Sequence, residues 1–323
     1  MTHKTNTKNK IILLVITVVI VITIVEIGLR ASYYSYANYN TEMWRYAKEL
    51  KQKSDFPEQD HHHIKDKEVF LYGVNFKTNS LGFRADREFI TPNTDNITRI
   101  LVLGDSITVG WGVKVNESYP ARLQTMLNKV GNYEVINTGV GNYNTKRELA
   151  TLQKHIDLEP DIIILGFFIN DIEEVEYCKT LCWIQKNSYA YAFIYDRFVK
   201  LKYGGQNSFK DYYSELYKDE SLKNSLTNDI RTIYEIANNE SAKLVLVNIP
   251  ELHEFEEYPF TEVNEFIEQD IITDLNITYI NLLPSFSNHS PNDLWVSFED
   301  AHPNAKGHQI IAKKIFKEVF ENG

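Results

Sequence analysis

Ser106 ends the run Leu101-Val102-Leu103-Gly104-Asp105-Ser106, an apolar strand that breaks at a glycine and delivers a hydroxyl to its carboxyl end. Open parallel sheets hold their ligands in the crevice beyond those ends, where a serine nucleophile would work. Alone, the serine serves equally well as the N-cap of the segment that follows. A base is needed as well, and residues 297–308 offer one. His302 follows two carboxylates, Glu299 and Asp300, and precedes Pro303, a residue type that starts helices. Residues 160–171 read as a second buried strand ending in Asn170-Asp171, where an asparagine amide can donate to a developing oxyanion. A third strand runs from Tyr133 into Gly139 and Gly141, and a missing Cβ there lets a backbone N–H approach a ligand closely.

In this order, Gly-Asp-Ser, glycine, Asn-Asp and Asp-x-His-Pro, the four elements resemble those of the SGNH (GDSL-type) hydrolases. The resemblance covers about Lys77 to the C-terminus, and Asn79-Ser80-Leu81-Gly82-Phe83-Arg84 is similar to a segment of a membrane-anchored envelope branch of that family. It implies Ser106 as nucleophile, its own N–H as one oxyanion donor, Gly139 as a second with Gly141 competing for the role, and the Asn170 amide as a third. His302 is then the general base. Two departures stand out. Phe168-Ile169-Asn170-Asp171 lacks the usual glycine before the asparagine, and the common Asp-x-x-His spacing falls on Glu299, whereas Asp300 holds the Asp-x-His spacing of some members. Asp300 is preferred, with Glu299 the alternative, because a shorter carboxylate on a tight turn has less rotamer freedom to lose. Asp105 and Asp171 read as structural hydrogen-bonding groups.

The implied chemistry is acyl transfer through an acyl-serine, with no cofactor and no metal. Release by water makes a serine ester hydrolase; release by a sugar hydroxyl makes an O-acyltransferase. A non-catalytic glycan-binding protein on the same scaffold is the third class.

Strands near 99–105, 134–139, 161–168, 243–249 and 278–283 alternate with helices near 119–130, 144–158, 222–240 and 303–321. That order predicts a parallel sheet covered on both faces, and with the resemblance it implies a flavodoxin-like three-layer α/β/α sandwich of about five strands. An aromatic-rich insertion at 172–218 breaks the alternation and reads either as a cap over an acyl or glycan pocket or as extra helices packed by their rings. Trp111 either lines the site as a substrate-binding residue or packs beneath it.

The chain opens with Lys4, Lys8 and Lys10 before an apolar run at 11–29 that is interrupted only by Glu26 among charged residues. As a helix it is about 28 Å long, enough to cross a bilayer, and the lysines put the N-terminus in the cytoplasm. The expected organisation is a cytoplasmic tail (1–10), a transmembrane signal anchor (11–29), a connector (30–76) with a helix near 40–53, and an extracytoplasmic hydrolase domain (77–323). A cleaved signal peptide, with Ala31-Ser32 near its end, is the rival reading. A net charge of -10 argues against nucleic acid. The resemblance implies an acylated substrate, the exported location makes it an envelope glycan or lipid, and the helix makes the membrane a partner. Cys178 and Cys182 are the only cysteines, and export would permit a disulfide between them. The tract His61-His62-His63 reads as a solvated loop rather than a metal site.

Overall fold

The computed structural model describes residues 7–32, 39–91, 93, 97–174, 184, 187–203 and 206–321. They fall into two compact units, one from 1–48 and 176–205, the other from 49–175 and 206–323.

The larger unit is built on five parallel strands: β5 (Thr98–Gly104), β6 (Tyr133–Asn137), β7 (Ile162–Phe167), β8 (Lys243–Asn248) and β9 (Thr278–Asn281). Their order is β6-β5-β7-β8-β9, so the chain reverses direction across the sheet between β5 and β7, and ligands of open α/β sheets bind at such a switch point. Alternation along each strand explains the two covered faces. Leu101, Leu103, Ile163, Leu165, Leu244 and Leu246 pack against the helices Thr145–Lys154 and Glu220–Asn239. Ile100, Val102, Ile164, Val245 and Val247 pack against Tyr119–Leu127 and Ala305–Phe316. This is the three-layer α/β/α sandwich.

Among the described residues, four shorter strands precede the sheet. β1 (Lys51–Lys53) pairs antiparallel with β2 (His61–His63), and β3 (Glu68–Leu71) with β4 (Val74–Lys77). These strands, ahead of Lys77, belong to the same compact unit as the sheet, and the helix expected near 40–53 stops at Glu49 because β1 follows at once. The histidine tract is a strand and not a solvated loop. Its three rings turn to separate partners, His61 to Asp60, His62 to Lys154 and Gln52, and buried His63 to the Gly82 carbonyl. A third pair, β10 (Trp295–Ser297) and β11 (Asp300–Pro303), forms the hairpin that carries the histidine of the site. Pro303 ends β11, and Asn304 starts the final helix by accepting from the N–H groups of Lys306 and Gly307.

Among the described residues, the smaller unit holds the helices Thr7–Ser32 and Tyr189–Tyr203 and all but the last residue of Tyr39–Glu49. Lys8–Ala31 is long and apolar enough to cross a membrane. The helix Tyr189–Tyr203, from within the aromatic insertion, thus belongs with the N-terminal helices. Cys178 and Cys182, and with them the expected disulfide, lie outside the described residues.

Candidate active site

Gly104 and Gly166 sit opposite each other in the β5–β7 register. A Cβ on either would meet Thr108 Oγ1, at 1.9 and 2.8 Å respectively, so both glycines make room for the one-turn helix Ser106–Val109 against the strand ends. Asp105 caps that turn, its Oδ1 accepting from the Ile107 N–H at 2.8 Å. Ser106 is thereby held at the mouth of β5, nearly buried.

Across the strand ends, the β10–β11 hairpin brings His302 to the serine. His302 Nε2 lies 2.8 Å from Ser106 Oγ, and His302 Nδ1 lies 2.5 Å from Asp300 Oδ1. The backbone N–H of His302 also donates to Asp300 Oδ1, which closes a tight two-residue turn. Asp300 is 2 % exposed, whereas its neighbour Glu299 points outward, so the shorter of the two spacings places the carboxylate on the imidazole. Burial works against a charged His302. The Asp300 carboxylate, by charge and hydrogen bond, and Asp105 more weakly, overcome it and hold the His302 pKa above its ordinary value.

Asn170 opens the turn after β7, and its Nδ2 donates to Asp105 Oδ2 at 3.1 Å, leaving the second amide hydrogen to another acceptor. Asp105, read from the sequence as a turn former, also orients this amide. The missing glycine before Asn170 is made good by Asp171, whose Oδ2 accepts from the Phe168 N–H at 2.9 Å and so shapes the turn. Gly139, in the loop after β6, comes close to the nucleophile turn: a Cβ there would stand 2.6 Å from the Val109 nitrogen. Its N–H is taken by Asn137 Oδ1 at 3.0 Å, so it is not a free donor here. Asn142 of the same loop holds a left-handed φ of 65°, and its N–H has no acceptor among the described residues.

Trp111 is 2 % exposed. Its indole N–H donates to Asp300 Oδ2 at 2.9 Å, and Tyr72, in the turn between β3 and β4, stacks on the ring at 5.6 Å between centroids. The Tyr72 hydroxyl in turn meets Ser297 Oγ at 2.6 Å. Beneath the site Glu148 and Asp171 are buried acids, both with carboxyl pKa values pushed well above the usual range, by burial first and by neighbouring carboxylates second.

The model of the GDSL-like lipase/acylhydrolase family matches residues 102–310, more than half of the chain, from within β5 into the final helix. The chain belongs to that family. It is a serine ester hydrolase. No curated protein matches it. Among solved structures it is similar to TesA (14 % identity, TM-score 0.48, covering 69 % of this chain and 99 % of that one). It is also similar to the psychrotrophic esterase EstA from Pseudoalteromonas sp. (15 %, 0.44, 69 % and 97 %) and to the acetylxylan esterase Axe2 from Geobacillus stearothermophilus (18 %, 0.44, 69 % and 94 %).

In this GDSL-like hydrolase, Arg84 belongs to the site's framework and lies ahead of the matched region. It is buried, stacks over Phe76, and its guanidinium donates to the carbonyls of Val109, Gly110 and Val113. The segment at 79–84 is folded to bring it there. Asn79 Oδ1 accepts from the N–H groups of Leu81 and Phe83, and Gly82 turns with a φ of 86° where a Cβ would meet the His63 carbonyl at 2.9 Å. The sequence flagged this segment without showing what it grips.

Proposed function

We propose that the protein removes O-acyl groups from cell-envelope or extracellular glycans or glycolipids through an acyl-Ser106 intermediate. Ser106 Oγ attacks the ester carbonyl while His302 Nε2 takes its proton, and the same proton is returned to the alcohol as the C–O bond breaks. Water then attacks the acyl-serine, giving its proton to His302, and the acid leaves as Ser106 is restored. Asp300 keeps the imidazole oriented and stabilises it when charged. The Asn170 amide, the Ser106 N–H and one backbone N–H of the 139–142 loop stabilise the oxyanion.

The observation that carries this reading is the unbroken series Ser106 Oγ, His302 Nε2, His302 Nδ1, Asp300 Oδ1, with steps of 2.8 and 2.5 Å. The envelope location is supported by the apolar helix Lys8–Ala31 behind a lysine cluster, which favours a cytoplasmic N-terminus and an exported domain.

The test is to treat the full-length protein in detergent with a fluorophosphonate, beside a Ser106→Ala control, and to locate the adduct by peptide mass spectrometry. A single adduct on Ser106, together with release of acid from acylated envelope glycans, is the expected result. A folded protein that takes no label overturns the nucleophile assignment; a labelled protein that releases nothing from any acylated glycan or glycolipid overturns the substrate.

A further inference from the structure

One carboxylate interrupts the apolar N-terminal helix. Glu26 stands three residues before Leu29, about 5 Å short of the end of the apolar run. A charge at that depth is costly unless partnered. Glu26 Oε1 accepts from the Tyr189 N–H at 3.1 Å and from Arg30 Nε at 2.8 Å. Its Oε2 accepts from the Ala190 N–H at 2.9 Å and from the Ser188 hydroxyl at 3.0 Å. Arg30 Nη2 adds a bond to the Asn187 carbonyl at 3.0 Å. The carboxylate therefore caps the helix Tyr189–Tyr203, meeting N–H groups that lack partners within the helix and complementing the positive end of its dipole.

Around this joint the side chains are those that favour the headgroup layer of a bilayer. Arg30 lies 5.2 Å from the Tyr189 ring, Trp44 packs edge-on to Tyr189 at 4.6 Å, and Lys48 lies over Trp44 at 4.9 Å. Trp, Tyr and basic residues gather at the membrane–water interface, where an apolar ring and a polar or charged end are both satisfied. Beyond the joint, the capped helix leaves Phe193, Ile194, Tyr195 and Phe198 exposed, with Ile194 at 65 % and Phe198 at 58 %. Single exposed apolar residues are ordinary, but four within six positions form a patch that water does not favour. In sequence the helix is net positive, with Arg197, Lys200 and Lys202 against Asp196.

We propose that Tyr189–Tyr203 is a second membrane-contacting element, lying in the interfacial layer of the leaflet where the N-terminal helix ends, with lipid covering its exposed aromatic residues. The proposal rests on reading Lys8–Ala31 as a membrane span. It carries a corollary: cleavage near Ala31 would remove both Glu26 and Arg30 from the joint, so the cap belongs to a protein that keeps its N-terminal helix.

The experiment uses the full-length protein, one copy per lipid nanodisc, with Ile194→Trp and, separately, Val18→Trp. The Trp emission that each adds over the parent is compared in discs of ordinary phosphatidylcholine and phosphatidylglycerol and in discs whose acyl chains are brominated. Both added signals are expected to be quenched, that of Ile194→Trp by about half or more with bromines about 5–10 Å below the headgroup boundary. Glu26→Ala in the Ile194→Trp background is expected to reduce that quenching, because the helix loses its tie to the span. Quenching at position 18 with none at 194 overturns the proposal and leaves the anchor standing. Absence of quenching at both positions removes the span reading with it. A blue-shifted but unquenched signal at 194 shows a face covered by protein, and this also overturns the proposal.

Discussion

Two groups draw on the charge of Asp300. His302 Nδ1 meets one oxygen at 2.5 Å and the Trp111 indole N–H meets the other at 2.9 Å, so the carboxylate that raises the His302 pKa is itself moderated by a tryptophan. A general base must be neutral to act, so kcat/KM for ester hydrolysis should rise with pH through a midpoint above the ordinary histidine value of 6.5. Asp300→Asn removes the charge and should move that midpoint down while lowering kcat by about 10⁴-fold, read from a pH–rate profile. Trp111→Phe keeps the ring beside Tyr72 but deletes the donor. Asp300 then keeps more of its charge for the imidazolium, so the midpoint should move up, the opposite direction. kcat should fall roughly ten- to a hundredfold, the scale of a hydrogen bond to a charged group, with KM unchanged. A Trp111→Phe profile that matches the parent would show the indole to be mere packing. The preference for Asp300 over Glu299 was legible in the sequence because reach and turn length are local. The Trp111 bond was not, because it joins residues 189 positions apart and no spacing encodes it.

The elements divide in the same way. The five sheet strands are apolar runs bounded by turn residues, and each lies within a residue or two of where its pattern puts it. β1 to β4 have only three or four residues each and mixed polarity, too short for alternation to register, so what defines them is pairing with a distant partner. Arg84 shows what these pieces are for. The segment behind β4 turns sharply so that one guanidinium can satisfy three carbonyls at the end of the nucleophile helix and in the loop that follows it, in a place sealed from water. Arg84→Ala leaves those acceptors orphaned, at about 1–3 kcal/mol for each that no water reaches. We expect a loss on the order of 3 kcal/mol, or about 6–12 °C in the Tm of this unit, followed by circular dichroism. Arg84→Lys, with a point charge in place of a planar fork, should recover only part of it. A Tm within a degree or two of the parent would mean that the loop holds its shape without the clamp.

Over the whole molecule, buried titratable groups pull the stability in opposite directions with pH. Burial lowers His61 and His155 to about 4 and His63 and His308 to about 3, so these rings stay neutral in the folded chain. His308 uses its unprotonated Nδ1 to accept the Tyr119 N–H inside the core. The unfolded chain binds protons at these histidines below pH 6.5 while the folded chain does not, so they withdraw stability as the pH falls from 6.5 toward 4. Glu148 and Asp171 act the other way. Their folded pKa values lie above the ordinary 4.5 and 3.8, so the unfolded chain gives up these protons first, and stability is lost as the pH rises from those values toward the folded ones. Neither oxygen of Glu148 has a hydrogen-bond partner among the described residues, so Glu148→Gln forfeits no such bond while removing the ionisation that the fold resists. Its Tm should match the parent near pH 4, where Glu148 is protonated in both states, and exceed it increasingly from pH 5 to 8. The variant should also lose stability more steeply than the parent on acidification from pH 6.5, because the histidines then act with less opposition. Thermal melts of both proteins across that range would decide the matter: a constant offset between the two curves would mean that Glu148 does not resist ionisation in the folded chain.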